Sequence, residues 1–176
     1  KVQNSQTSDT IRKPVEPTRT VVKKAPAQEI VDDDLLLTLD EERGGLGAQE
    51  LAKVQNPFTN LKYLIQLDRC GSNDCVFYSC ANPQFKKYIE EFSFTEKIGT
   101  YSDISFLMPA WKVCGVNLSI GYNDEHTFLE TLNINDLSRT ISIVYQMLKV
   151  ANSAPKFLYN EENLYLSNYY RSEEHT

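Results

Sequence analysis

Apolar positions change their spacing along this chain, and each change predicts an element. Residues 35–39 form an unbroken apolar run, Leu35-Leu36-Leu37-Thr38-Leu39, which predicts a strand buried on both faces. Residues 48–54 follow a glycine-rich turn and predict a short helix. Residues 61–67 predict a second strand that ends at Asp68, and residues 75–78 a third. Residues 83–92 alternate apolar and charged positions at helical spacing, with Pro83 placed in the first turn. Residues 93–97 predict another strand, and residues 102–107 a helical turn capped by Ser102. Residues 115–120 predict a strand that leads into a polar loop holding His126. From Ile134 the apolar positions Leu137, Ile141, Val144 and Leu148 predict a helix, with Asn135 or Asp136 as its cap. Strands alternating with helices give an α/β class.

The two ends read differently. Residues 1–31 have no helical or strand period, and Pro14, Pro17 and Pro26 break any regular element. They are expected to be a disordered or misjoined tail. Arg171-Ser172-Glu173-Glu174-His175-Thr176 matches what a common sequencing-library adapter encodes in frame, so it is read as a scar and kept out of functional reasoning. The domain proper is expected over residues 32–170.

Composition narrows the function. The chain of 176 residues carries a net charge of -6 with no basic stripe, which argues against a nucleic-acid partner. No apolar run approaches the ~18 residues of a membrane span, so no membrane partner is expected. Cys70, Cys75, Cys80 and Cys114 are spaced unlike paired zinc knuckles. They are read as buried free thiols of a cytoplasmic protein.

Candidate chemistry gathers at predicted strand ends. Glu41 and Glu42 follow the first strand, Asp68 the second, and His126 the later one. Ligands of open α/β sheets collect at the carboxyl ends of strands. Adjacent residues in extended chain point opposite ways, so one carboxylate can hold a cation while the other handles a proton. Two carboxylates and an imidazole form a normal zinc shell. An acidic helix start favoured by the helix dipole accounts equally for Glu41 and Glu42. An ordinary turn accounts for Asp68, and a helix cap for Asp103.

Four segments occur in order: Asp40-Glu41-Glu42-Arg43-Gly44-Gly45-Leu46-Gly47-Ala48, Gln66-Leu67-Asp68-Arg69-Cys70-Gly71-Ser72-Asn73-Asp74, Tyr101-Ser102-Asp103-Ile104, and Asn117-Leu118-Ser119-Ile120-Gly121-Tyr122-Asn123-Asp124-Glu125-His126-Thr127. Together they resemble the C-terminal part of the co-catalytic zinc exopeptidases, a superfamily of aminopeptidases and carboxypeptidase-like metallopeptidases. The likeness covers residues 35–148. It implies a partial three-layer α/β/α mixed sheet and an exopeptidase-type hydrolase acting on a peptide or amide with two zinc ions. It implies that Glu41 is the general base, that Glu42 and His126 hold one zinc, that Asp68 holds the other, and that Asp103 is a site-proximal acid. Two neighbouring cations would acidify a shared water and clamp the scissile carbonyl.

The departures matter as well. The family carries an early His-x-Asp and a bridging Asp, whereas no histidine precedes His126 here, and Asp32-Asp33-Asp34 abut the first strand. The site is therefore expected to be incomplete and the isolated chain a poor hydrolase. Missing sheet neighbours would expose an edge and favour self-association. The alternative function is a non-catalytic binding or interaction domain that keeps the fold.

Overall fold

A computed structural model describes residues 35–161 of the 176-residue chain. The expected tail at 1–31 and the expected scar at 171–176 lie outside the described residues. What is described is a mixed α/β domain. Its order is a 3-10 turn Glu41–Arg43, α1 (Leu46–Ala52), β1 (Leu64–Arg69), β2 (Asp74–Val76), α2 (Pro83–Glu90), β3 (Thr95–Glu96), α3 (Asp103–Trp111), β4 (Gly115–Ser119), β5 (Tyr122–Asn123), β6 (Thr131–Leu132) and α4 (Ile134–Ala151).

The main sheet has the order β1-β4-β2-β3. β1 runs parallel to β4, β2 antiparallel to β4, and β3 parallel to β2, so the sheet is mixed. All five residues of β4 are buried, as expected for a central strand with both faces covered. Alternation sends Val116 and Leu118 to one face, where the core cluster also holds Phe85 and Ile89 of α2 and Met147 of α4. Gly115 and Asn117 take the other face, where α3 comes so close that a side chain at Gly115 would meet Met108 at 3.1 Å. A second cluster joins Ala48 of α1 to Leu107 and Trp111 of α3. β5 and β6 form a separate antiparallel pair carrying the His126 loop.

Local chemistry explains the helix ends. Asn82 accepts a hydrogen bond from the Phe85 amide, and Pro83 opens α2 where its missing N–H costs nothing. The cap of α4 is Asn133, whose side-chain oxygen accepts from the Asn135 and Asp136 amides, so the expected caps Asn135 and Asp136 lie inside the helix. α3 extends well past residue 107 because Pro109 is accommodated within it.

The largest departure from expectation is at 35–39. Leu35 makes an isolated bridge, residues 36–40 form no strand, and Leu35, Leu37 and Leu39 are exposed. Their alternates point inward: Leu36 packs on the α1–α3 cluster, and Thr38 donates a hydrogen bond to Asp103. An apolar run records a demand for burial, while a strand also needs a ladder partner, and among the described residues β1 pairs with β4 alone.

Candidate functional site

Glu41 and Glu42 occupy the 3-10 turn, not extended chain as the sequence suggested. Successive residues of a 3-10 turn still point about 120° apart. The two carboxylates do diverge, one toward Ser102 and the other toward His126. The turn needs left-handed backbone at Asp40 (φ 58°), Gly44 (φ 91°) and Gly45 (φ 69°). At Gly45 a side chain would strike Phe106 at 2.7 Å, and at Gly47 it would strike the Leu39 carbonyl oxygen at 2.6 Å. The glycines thus let this turn lie flat against α3.

Asp68 sits at a β-bulge. The β1–β4 register runs evenly from Leu64 to Leu67 and then skips to Arg69. Bulges re-aim a side chain and leave a residue outside the ladder. The Asp68 amide finds its acceptor in the Asn117 side chain, at 3.1 Å.

The hub is Ser102, the buried residue that opens α3. Its hydroxyl lies 3.0 Å from Glu41 Oε1 and 3.2 Å from Asp68 Oδ2. It accepts from Gln66 Nε2 at 2.6 Å. A hydroxyl has one proton, so it donates to one of the two carboxylates at a time. Gln66 also donates to Asp68 Oδ2 at 3.1 Å and accepts from the Ile104 amide at 3.1 Å. Asp103, next along α3, is buried, and its Oδ1 has no hydrogen-bond partner among the described residues.

His126 lies on the loop after β5, in left-handed backbone at φ 61°. Glu130 accepts from its amide at 3.1 Å, and Thr127 closes the turn by donating to the Asp124 carbonyl at 2.6 Å. The loop is tied to the end of β1, since Gly71 donates to the Tyr122 carbonyl at 2.9 Å and the Tyr122 hydroxyl donates to the Asp68 carbonyl at 3.0 Å. His126 Nδ1 stands 3.5 Å from Glu42 Oε2, and both side chains are exposed.

These placements set the electrostatics. Burial pushes the Glu41 carboxyl up, the Ser102 hydrogen bond opposes it, and the charges of Asp68, Asp103 and Glu42 push it further. Burial also raises Asp68, against hydrogen bonds from Ser102 and Gln66, with Asp103 and Glu42 adding to the rise. Asp103 is raised by burial against its bond from Thr38. Three carboxylates with raised proton affinity at one place mark a functional-site candidate.

The structure thus brings Glu41 to Asp68 through Ser102, and Glu42 to His126. Among the described residues no group of three or more His, Cys, Asp or Glu is placed to hold a metal ion. As donors, Glu42 and His126 suit zinc and face each other closely enough to share one cation, so they fit it as a two-ligand pair. Two clefts, of about 340 and 680 Å³, are lined by residues other than Glu41, Glu42, Asp68 and His126. No helix among the described residues is long and apolar enough to cross a membrane. Ser102, Gln66, Asn117 and Tyr78 escaped the sequence reading as site residues. Gln66 gave a signal in its position two residues before Asp68 on one strand, and Ser102 was expected only as a helix cap.

No family model matches the chain, and no curated protein or solved structure matches it.

Proposed function

We propose that this chain is the C-terminal part of a zinc-exopeptidase-like hydrolase, with the partial three-layer α/β/α sheet of that type, acting on a peptide or amide in the cytoplasm. One observation carries the reading: Glu41 reaches Asp68 through Ser102 and Glu42 faces His126, two pairs drawn from three distant stretches beside the carboxyl ends of β1 and β4. Glu42 and His126 would hold one zinc ion and Asp68 a second. Zinc, when bound, supplies Lewis acidity toward water and the scissile carbonyl.

Glu41 serves as the general base. Its raised proton affinity suits it to take a proton from water and return it to the leaving amine. Ser102 orients Glu41 and Asp68 together. Asp103 stays beside the cluster as a buried acid.

The second reading is a non-catalytic interaction domain. The two-ligand pair, where a catalytic zinc normally takes three protein ligands, favours it.

Zinc titration against a chromophoric chelator, paired with aminoacyl-anilide hydrolysis, separates the readings. The hydrolase reading expects weak zinc binding that is lost in Glu42→Gln and His126→Ala and kept in Glu41→Gln. It also expects slow turnover, enhanced by fusing an upstream segment bearing His-x-Asp and abolished by Glu41→Gln. Zinc binding indifferent to Glu42 and His126 would refute the assignment of the site. Binding without turnover in the fused chain would favour the interaction domain.

A further inference from the structure

We propose that the cleft between the end of α2 and α4 is a binding site for a free α-amino acid with an apolar side chain. The inference is independent of the zinc reading, because this cleft is lined by residues other than Glu41, Glu42, Asp68 and His126. Its volume is about 340 Å³. That is the small end of the range for ligand pockets, which suits one amino acid better than a longer peptide. The two walls carry opposite charges. On α4, Arg139, Ile143 and Gln146 stand four and three residues apart, so one helical face brings all three to the cleft. Glu91 and Phe92 line it just past the last residue of α2. Arg139 pairs with Asp136 of its own helix, at 3.8 Å, and not with Glu91. Among the described residues the Glu91 side chain makes no ion pair or hydrogen bond. A cation and an anion that line one cavity without pairing match a zwitterion, which brings a carboxylate to the first and an ammonium to the second.

Two further facts fit such a ligand. The Arg139 guanidinium is anchored, since its Nη2 donates to the Ser72 carbonyl in the loop between β1 and β2. A guanidinium has five N–H donors in one rigid plane, so a single anchor sets its direction and leaves N–H groups for a carboxylate. A head already held in place loses little freedom on binding. Phe92 and Ile143, both half-buried, give the lining an apolar part for the side chain of the ligand.

The test is isothermal titration calorimetry of the full chain, with a metal chelator present, against L-leucine, L-leucinamide and N-acetyl-L-leucine. The amide lacks the carboxylate, and the acetyl derivative lacks the ammonium. L-leucine should bind with a Kd of about 1 mM or below, and each derivative at least about tenfold more weakly. Arg139→Gln should bring leucine down to the affinity of leucinamide, and Glu91→Gln to that of N-acetyl-leucine. Arg139 also anchors Ser72, so Glu91→Gln, on the other wall with no bond to lose, decides the matter if Arg139→Gln fails to fold. Absence of leucine binding up to about 10 mM, or binding unchanged in Glu91→Gln, overturns the site. Leucine binding by a chain that fails the zinc titration upholds this site and overturns the zinc reading alone.

Discussion

Asp103→Asn should stabilise this protein at neutral pH. Asp103 is the first residue of α3, 5% exposed, with one carboxylate oxygen bonded by Thr38 and the other without a partner among the described residues. The helix dipole favours a charge there by about 0.3–1 kcal/mol. A buried acceptor left unsatisfied costs about 1–3 kcal/mol, and more when charged. The cost wins, in agreement with burial raising the Asp103 proton affinity against its hydrogen bond. Asparagine keeps the shape and the acceptor for Thr38 while removing the charge, so the gain should be about 1 kcal/mol. For a chain of this size that corresponds to roughly 2–4 °C in Tm. The sign with pH is fixed. A carboxyl whose folded pKa lies above its unfolded value binds more protons when native, so wild-type stability falls as pH rises through that window. The advantage of the variant is therefore full at pH values above the raised pKa and fades toward about pH 4, near the unfolded value. Urea unfolding at pH 7.5 and near pH 4, at one ionic strength, measures both. A loss of stability at pH 7.5, or an equal gain at both pH values, would refute the reasoning.

Other outcomes follow from the same structure. Ser102→Ala removes a donor shared by Glu41 and Asp68 and should cost about 1–2 kcal/mol in urea unfolding, with Ser102→Thr close to wild type; equal stability for alanine would show that the hydroxyl is not holding the cluster. Gly47→Ala places a methyl 2.6 Å from the Leu39 carbonyl oxygen and should destabilise by about 1–3 kcal/mol, a neutral result meaning that the turn relaxes freely. Iodoacetamide at pH 8 should modify Cys70 first, since Cys75, Cys80 and Cys114 are buried and exposure outweighs the bond from Cys114 that holds Cys80 down to about 7; mass spectrometry showing a buried thiol first would contradict this. Replacing Leu35, Leu37 and Leu39 by threonine should lower self-association in sedimentation velocity, because these exposed side chains share one side of the chain; unchanged sedimentation would remove them as an interface.

The sequence disclosed elements whose signal is local. The helix at Pro83 was legible from its period and its proline, and β4 from the apolar positions Val116, Leu118 and Ile120. The strand expected at 35–39 failed because a run of leucines states what a segment needs and not whether a neighbour provides it. Pro109 hid the length of α3, since proline normally signals a helix end. At the site, charged and imidazole side chains announced themselves by type and motif. Ser102, Gln66, Asn117 and Tyr78 did not, because a polar residue on a strand or helix cap acquires a role only when its partner, dozens of residues away, is known.

The parallel pairing of β1 with β4 also sets a timetable. Ile65 meets Val116, so about fifty residues of chain must exist before the first rung of that ladder can form. Closing so long a loop precedes any reward from the contacts it creates, which makes the step slow. During synthesis β1 emerges first and waits with its backbone unpaired through α2, β3 and α3. Ser102 reaches Glu41 and Asp68 only after α3 has docked, and the His126 loop leaves the ribosome later still. A nascent chain stopped before β4 carries Glu41, Glu42 and Asp68 without the strand whose Asn117 side chain holds the Asp68 amide.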